Sequence, residues 1–202
     1  MQTNCYLLTS PETRKTYIVD PGDDAEYIAN VIANHQLKPI LILATHGHFD
    51  HVMAVAELQL TLNLPFLIHP ADNFLLKRAP ETAEYFLGHL TTPSWIEPIP
   101  NDALIDGQEL ALGDSVIKVI ETPGHSPGSV CFYIKDDDIA LVGDLIFADG
   151  DVGRTDYSYG NSEQLEESVM TILSLPHETT LLPGHGRSTT VEEERVNNTQ
   201  LL

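Results

Sequence analysis

A chain of 202 residues is long enough to bury a sizeable core, and we predict a single domain over residues 1–202. Acidic residues outnumber basic ones 30 to 10, and the formal net charge of −20 excludes nucleic acid as a partner because a phosphate backbone would be repelled. The opening MQTNCYLLTS has no basic stretch before an apolar core, and no apolar run reaches the roughly 18 residues of a membrane span. We therefore expect a cytoplasmic protein with no membrane partner.

The first half of the chain alternates predicted strands with predicted helices. KPILILAT is a continuous apolar run, typical of a strand covered on both faces, whereas Ile28, Val31 and Ile32 recur at helical spacing. We predict strands at NCYLL, TYIVD, KPILILAT and PFLIH, and helices at DDAEYIANVIANH, VMAVAELQLTLN and PADNFLLKR. Residues 79–101 contain four prolines and predict an irregular segment, in which we expect a lid.

The second half is richer in strands. LALGDSVIKVIET predicts a hairpin around Gly113 and Asp114, and SVCFYI and IALVG predict two further strands joined by the acidic turn KDDD. Helical spacing returns in SEQLEESVMTILSL, with Ser162 as its predicted N-cap, before a last strand at TTLLP. Two strand-rich halves with helices between them predict an α+β fold of two packed sheets with helices outside.

Histidine and aspartate recur where predicted strands end, in ILATHGHFDH, VIETPGHS, IALVGDLIF and TLLPGHG. In each Pro-Gly-His turn, proline fixes one position and glycine permits a positive φ at the next, which aims the histidine off the sheet edge. Four hydrated side chains within six residues behind a buried strand would be costly without a shared partner. The strand ends together supply His46, His48, Asp50, His51, His125, Asp144 and His185.

Imidazole and carboxylate groups are the ligands that suit zinc, iron or manganese. Five histidines and two aspartates are too many for one tetrahedral ion, so the sequence predicts two divalent metal ions per chain, with zinc favoured. His46 and His48 lie two residues apart on an extended loop and are expected to share one ion. Asp50 and His51 are expected to turn toward the other.

The segment THGHFDH resembles the H-x-H-x-D-H motif of the metallo-β-lactamase superfamily, and TPGHSPGSVCFY, GDLIF, GRTD and LPGHG resemble segments of its glyoxalase II-like branch. The resemblance implies an αββα sandwich of two mixed sheets flanked by helices, with the metal site at one edge of the sheets. It also implies a division of ligands: His46, His48 and His125 for the first ion, Asp50, His51 and His185 for the second, and Asp144 bridging both.

The sequence departs from the pattern of this family in two places near the expected site. Met53 and Ala54 replace two glycines that relatives often have and are expected to narrow the floor of the site. YSYGN replaces a proline-glycine run, which places Tyr157 and Tyr159 near the substrate edge as binding residues or as surface tyrosines. Arg154 either contacts substrate or anchors its own loop. The chain also begins close to its first strand, so an edge strand common in relatives is expected to be missing.

Metal-bound water has a pKa near 7, so two ions sharing one water would hold hydroxide at neutral pH and favour hydrolysis. We place Asp50 to accept or relay the remaining proton. A thiol has a pKa near 8.5 and can leave without a general acid, which the motifs do not provide. This favours a thioester as the small-molecule substrate, and the resemblance implies S-lactoylglutathione.

Three alternatives stay open at this stage. A persulfide dioxygenase of the same branch would hold one iron through residues that match His46, His125 and Asp144. A lactonase or a β-lactamase uses the same scaffold, and a non-catalytic binding module is the last alternative. Only 17 residues follow His185, too few for the helical C-terminal domain that grips glutathione in two-domain relatives. We therefore expect modest hydrolysis of S-lactoylglutathione with a high KM.

Overall fold

The computed structural model describes residues 2–88 and 95–198, in which two β-sheets pack face to face. The first sheet has its five strands in chain order: β1 (Tyr6–Thr9), β2 (Lys15–Val19), β3 (Lys38–Leu43), β4 (Phe66–Ile68) and β5 (Asp102–Ala103). β1 runs antiparallel to β2, and the remaining neighbours in this sheet are parallel.

The second sheet has six strands, and its spatial order, β11-β10-β9-β8-β7-β6, reverses their order in the chain. The pair β9 and β10 is parallel, and the other neighbours are antiparallel. Its strands are β6 (Glu109–Leu112), β7 (Ser115–Glu121), β8 (Val130–Ile134), β9 (Ile139–Gly143), β10 (Thr180–Pro183) and β11 (Thr189–Thr190).

Among the described residues, six α-helices flank or connect the sheets: α1 (Ala25–Asn34), α2 (Phe49–Val52), α3 (Val55–Leu62), α4 (Asn73–Leu87), α5 (Ser162–Leu173) and α6 (Val191–Asn197). The alternation of strand side chains explains the layers. Tyr17 and Val19 of β2 face the second sheet and share a core with Phe132, whereas Ile18 points the other way and packs with Ile28 of α1.

The outer face of the second sheet is covered by α5, whose Val169 and Ile172 pack against Cys131 and Val142. The layer order is therefore helix, sheet, sheet, helix, and the predicted αββα sandwich is confirmed. None of the helices within the described ranges has the length and apolar character needed to cross a bilayer.

The structure corrects three local predictions. α4 continues through Pro80 to Leu87, because Leu76, Ala79 and Ala83 bury one helical face and outweigh the hydrogen bond that proline removes. The expected irregular segment at 79–101 is thus helical in its first part. Residues 89–94 of the expected lid lie outside the described residues.

The N-cap of α5 is Asn161 rather than Ser162, and its side chain accepts a hydrogen bond from the Gln164 amide. The helix predicted from Val52 is divided into α2 and α3. The short strands β5 and β11 and the polar helix α6 carry too weak a pattern to be predicted from the sequence, because each has at most two buried residues.

Candidate metal centre

The polar residues that follow the strands converge at one edge of the sandwich. The loop after β3 leads into α2, and the ends of β7, β9 and β10 supply the remaining side chains.

At the first Pro-Gly-His turn Gly124 has the expected positive φ of 138°. Gly184 in the second turn does not have a positive φ, which corrects the prediction. A Cβ at Gly184 would collide with Asp144 Oδ1 and the His51 ring, so glycine is needed there for close approach.

Three histidines form one potential ligand group. His46 Nε2 lies 3.0 Å from His48 Nδ1, and His125 Nε2 lies 2.9 Å from the same atom. The three rings meet almost at right angles, with interplanar angles of 82°, 76° and 89°. This arrangement directs three ring nitrogens toward a single point. We refer to these residues as the three-histidine group.

A second ligand group consists of Asp50, His51 and His185. We refer to these three residues as the carboxylate group. Asp50 Oδ2 lies 3.2 Å from His185 Nε2 and 3.9 Å from His51 Nε2. Thr3 Oγ1 donates a hydrogen bond to the same Asp50 oxygen at 3.2 Å. The side chain of His185 is 26% exposed, whereas His51 is fully buried, so this group is open to solvent on one side.

Asp144 lies between the two groups. Its Oδ2 atom is 3.6 Å from His125 Nε2 and 3.5 Å from His185 Nε2, and its Oδ1 atom is 3.4 Å from His51 Nε2. The structure therefore brings together all seven residues that the strand ends indicated, and His46, His51 and Asp144 form a further potential ligand group across the two.

The histidine nitrogens that point away from the centre are held by acceptors. Asp20 accepts hydrogen bonds from His51 Nδ1 at 3.0 Å and from the Thr45 hydroxyl at 2.7 Å. The Thr45 hydroxyl in turn lies 3.1 Å from His46 Nδ1. Because each Nδ1 donates its proton outward, Nε2 is the nitrogen of both rings that faces the centre and would bind a metal ion in its deprotonated form.

The other three histidines also have an outer contact at the nitrogen that points away from the centre. His125 Nδ1 donates to the Arg154 carbonyl at 2.8 Å, and His185 Nδ1 donates to the Gln2 carbonyl at 3.0 Å. His48 presents the opposite nitrogen: its Nε2 lies 2.8 Å from the Tyr159 hydroxyl, so Nδ1 faces the centre. Such outer contacts fix the tautomer of a metal-binding histidine.

Two buried atoms at the centre lack a hydrogen-bond partner among the described residues, His51 Nε2 and Asp144 Oδ1. Buried polar groups are almost always paired, and an imidazole nitrogen facing a carboxylate oxygen is a typical metal-binding arrangement. The donor set fits divalent ions, because every inward atom is an imidazole nitrogen or a carboxylate oxygen.

The two groups differ in their protonation. Burial lowers the pKa of His46 and His125 and that of His48 to about 3. Burial also opposes a charge on His51, but the Asp144 and Asp20 carboxylates raise its pKa well above the ordinary value. The three-histidine group is therefore neutral at pH 7.

Histidine and aspartate partners in the carboxylate group favour one another's charged forms. Hydrogen bonds to Asp144 and Asp50 raise the pKa of His185 to about 10. Burial alone would raise the pKa values of Asp50 and Asp144, but neighbouring histidines, chiefly His185 for Asp50 and His51 for Asp144, hold both below the ordinary value.

Asp72 is a buried residue that the sequence analysis did not identify. Its carboxylate accepts hydrogen bonds from the Gly47 amide at 2.8 Å, the Gly128 amide at 2.7 Å and the Ser126 hydroxyl at 2.6 Å. Gly47 lies between His46 and His48, and Ser126 follows His125, so one carboxylate ties together both loops of the three-histidine group. Burial raises the pKa of Asp72 against the effect of these bonds.

The three predicted substrate residues, Arg154, Tyr157 and Tyr159, lie side by side next to the three-histidine group. Arg154 donates from Nε and Nη2 to the two oxygens of the Asp156 carboxylate, each at 2.6 Å, which is the contact expected of an arginine that anchors its own loop. The Arg154 guanidinium also lies 4.7 Å from the centre of the Tyr157 ring, which stacks on Tyr159. Tyr159 contacts His48, and Tyr157 lines the cavity beside it.

Two cavities meet at Asp50. A cavity of about 360 Å³ contains members of both ligand groups, Asp144, Arg154 and Tyr157, which makes it the candidate active site. A larger cavity of about 720 Å³ extends away from the centre, between β1 and α1. Met53, which was expected to narrow the floor of the site, lines this larger cavity.

The sequence pattern described as "Metallo-beta-lactamase superfamily" matches residues 1–185. The chain belongs to the metallo-β-lactamase superfamily. Its relatives include the "Probable metallo-hydrolase YqgX" of Bacillus subtilis, 37% identical, and the "Hydroxyacylglutathione hydrolase GloC" of Haemophilus influenzae, 32% identical. Each alignment covers 98% of this chain and 92% of the relative. The predicted resemblance to the glyoxalase II-like branch is confirmed, and the chain is similar to metallo-hydrolases over nearly its whole length.

Solved structures of superfamily members share the fold. "TTHA1623 in a di-iron-bound form" is 38% identical with a TM-score of 0.87, and the match covers 98% of this chain and 94% of TTHA1623. The "BLEG-1 B3 metallo-beta-lactamase" is 34% identical with the same TM-score, covering 99% of this chain and 94% of BLEG-1. This likeness and the candidate ligand groups together support a centre for divalent metal ions.

Proposed function

We propose that this superfamily member is a hydrolase that holds two divalent metal ions and cleaves a thioester, with S-lactoylglutathione as a representative substrate. The observation that carries the proposal is the convergence of seven ligands whose five imidazoles are each held by an outer contact. A single tetrahedral ion accepts four ligands, so seven correspond to two ions. Zinc suits the donor set, and iron and manganese suit it as well.

The protein residues have distinct tasks in this reaction. His46, His48 and His125 would hold one ion, Asp50, His51 and His185 the other, and Asp144 would contact both. Bound ions supply an acidified water and a polarised substrate carbonyl. Asp50 is kept as a carboxylate by its neighbours and lines the cavity, so we assign it to accept the proton that the attacking water releases.

The leaving group is inferred from the acids beside the centre. Outside the seven ligands, the titratable residues in the described cavity lining are Asp151, Arg154 and Tyr157. Asp151 and Arg154 are exposed, and burial raises the pKa of Tyr157, which makes its phenol a weaker proton donor. A thiolate needs no such donor, whereas an alkoxide or amine usually does. The name of GloC, a hydroxyacylglutathione hydrolase, points to the same substrate class.

The test is a substrate panel with the protein loaded with zinc, iron or manganese in turn. We expect thiol release from S-lactoylglutathione and from thioesters of short neutral thiols, at rates well above those for lactones or penicillins. The Asp144→Asn variant should lose this activity. Hydrolysis confined to lactones or β-lactams would contradict the thioester assignment.

A β-lactam is the second candidate substrate because BLEG-1, named as a B3 metallo-β-lactamase, is 34% identical to this chain. The same panel distinguishes the two activities. A persulfide dioxygenase would instead consume oxygen and be fully active with one iron. The two ligand groups favour hydrolysis over this third activity, and parallel measurements of oxygen uptake and metal content test it.

A further inference from the structure

The cavity over the candidate metal centre has an apolar wall formed by α2 and α4. The rings of Phe49 and Phe86 lie nearly parallel, with their centroids 6.0 Å apart and an interplanar angle of 15°. Phe49 is buried against Ala79 and Ala83, so it holds its position, whereas Phe86 is 40% exposed beside it. Both rings line the cavity. An exposed ring on a fixed aromatic base is suited to contact a ligand.

Two more aromatic rings line the same cavity on the side of the histidines. Phe147 lies 6.3 Å from the His185 ring, and Tyr157 lies 5.2 Å from the His48 ring. A molecule whose reacting group sits at the metal centre therefore has aromatic surface on both sides. The volume of about 360 Å³ is near the lower end for ligand pockets, which suits a small molecule.

The charges around this cavity do not suit an anionic substrate. In the described lining, Arg154 is the cation outside the ligand groups, and its Nε and Nη2 atoms already donate to the Asp156 carboxylate. Asp151 adds a negative charge to the lining, and the whole chain has a net charge of −20. The carboxylates of a glutathione arm would therefore find no unpaired cation in this part of the protein.

We propose that the cavity selects thioesters with one apolar arm, a short alkyl chain or one aromatic ring, packed against Phe49 and Phe86. This inference rests on the proposed function and specifies its substrate class. Phe86 determines specificity because it combines exposure to the cavity with a supported position. The apolar arm gains by leaving water for an aromatic surface, and each added methylene contributes about fourfold in binding.

The experiment measures kcat/KM for two series of thioesters. One series lengthens the acyl arm from acetyl to butyryl and hexanoyl, with benzoyl as the aromatic case, on one neutral thiol. The other lengthens the thiol arm at a fixed acyl group. We expect kcat/KM in at least one series to rise by about 250-fold over four added methylenes, at about fourfold each, and Phe86→Ala to reduce this rise to about tenfold or less.

Leu60→Ala is the matched control, because Leu60 is a large apolar side chain of helix α3, is 71% exposed and is outside the described lining of this cavity. This variant should show the same increase of kcat/KM with chain length as the parent protein. Non-hydrolysable thioether analogues of the same arms supply a binding readout. Their Kd should fall with chain length in the parent protein and in Leu60→Ala, and much less in Phe86→Ala, with metal content equal in all three.

The inference is overturned if kcat/KM is flat across both series in the parent protein, or if Phe86→Ala keeps the parental increase of kcat/KM with chain length. A preference for S-lactoylglutathione over every apolar thioester would also overturn it. The proposed function fails by a different result. In that case the fully loaded protein cleaves no thioester of either series, whatever its arms.

Discussion

The two ligand groups of the candidate centre contain similar residues but differ in how they are prepared for a metal ion. His46, His48 and His125 are buried, and burial keeps them neutral. His51 and His185 face carboxylates that raise their pKa values, and His185 is partly exposed. Burial by itself therefore keeps an imidazole neutral and able to bind a metal ion, whereas a neighbouring carboxylate keeps the imidazole protonated. Metal must then displace a proton.

Removing the carboxylate that the groups share should have the largest effect. Asp144→Asn keeps the shape of the side chain but loses the charge that offsets two cations, so both ions should bind at least about a hundredfold more weakly. Competition titration with a chelator measures both affinities. Asp151→Asn, the same change at an exposed site of the cavity lining, should leave them nearly unchanged. If one ion still binds to Asp144→Asn as tightly as to the parent protein, Asp144 does not bridge.

A smaller and one-sided effect is expected for Asp72→Asn. An amide has one acceptor oxygen, so at least one of the three donors from Gly47, Ser126 and Gly128 loses its partner. The three-histidine group should bind its ion roughly tenfold to a hundredfold more weakly, and the other ion should be affected little. The visible spectrum of bound Co²⁺ reports the geometry of each group separately.

Ser126→Ala is the graded control for Asp72, because it removes one donor and leaves the two backbone bonds to Gly47 and Gly128. It should weaken the same ion by less than Asp72→Asn does. Equal weakening of both ions by Asp72→Asn would mean that this carboxylate supports general stability rather than the three-histidine group.

The smallest effect is expected for Tyr159→Phe, which removes the hydroxyl beside His48 Nε2. The loss of one hydrogen bond of about 1 kcal/mol weakens the first ion by about fivefold, and two ions should still bind. Tyr157→Phe is the control, because it removes a hydroxyl from the ring stacked on Tyr159 without changing that contact. An unchanged affinity in Tyr159→Phe would show that backbone and packing orient His48 without the hydroxyl.

The sequence indicated the residues that converge at the centre better than the residues that support them. The candidate ligands follow strand ends, and strand ends meet at one sheet edge, so His125 and Asp144 were placed near the centre without knowledge of their contacts. Asp20 and Asp72 also follow strands, but their partners are 25 to 56 residues away in the chain and include backbone amides. No local pattern reports such partners. A single aspartate after an apolar strand was the available signal.

The fold was predicted at the level of layers, and the exceptions have tertiary causes. Pro80 was expected to end a helix, but the buried side chains of α4 carry the helix past it. Gly184 was expected to adopt a positive φ, whereas its role is to let Asp144 and His51 approach the backbone. In both cases a contact distant in sequence overrides a sound local rule.

The difference in protonation between the two ligand groups is tested most directly by counting the protons released on metal binding. Protein stripped of metal is titrated with Zn²⁺ near pH 7 by calorimetry in two buffers of different ionisation enthalpy. We expect two equivalents of Zn²⁺ to bind. The first should release well under one proton, because its histidines are already neutral, and the second should release between one and two, from His51 and His185. Affinity for the second ion should therefore rise about tenfold or more per pH unit, up toward the pKa of His185 at about 10. A single equivalent, or equal proton release in both steps, would contradict this expectation.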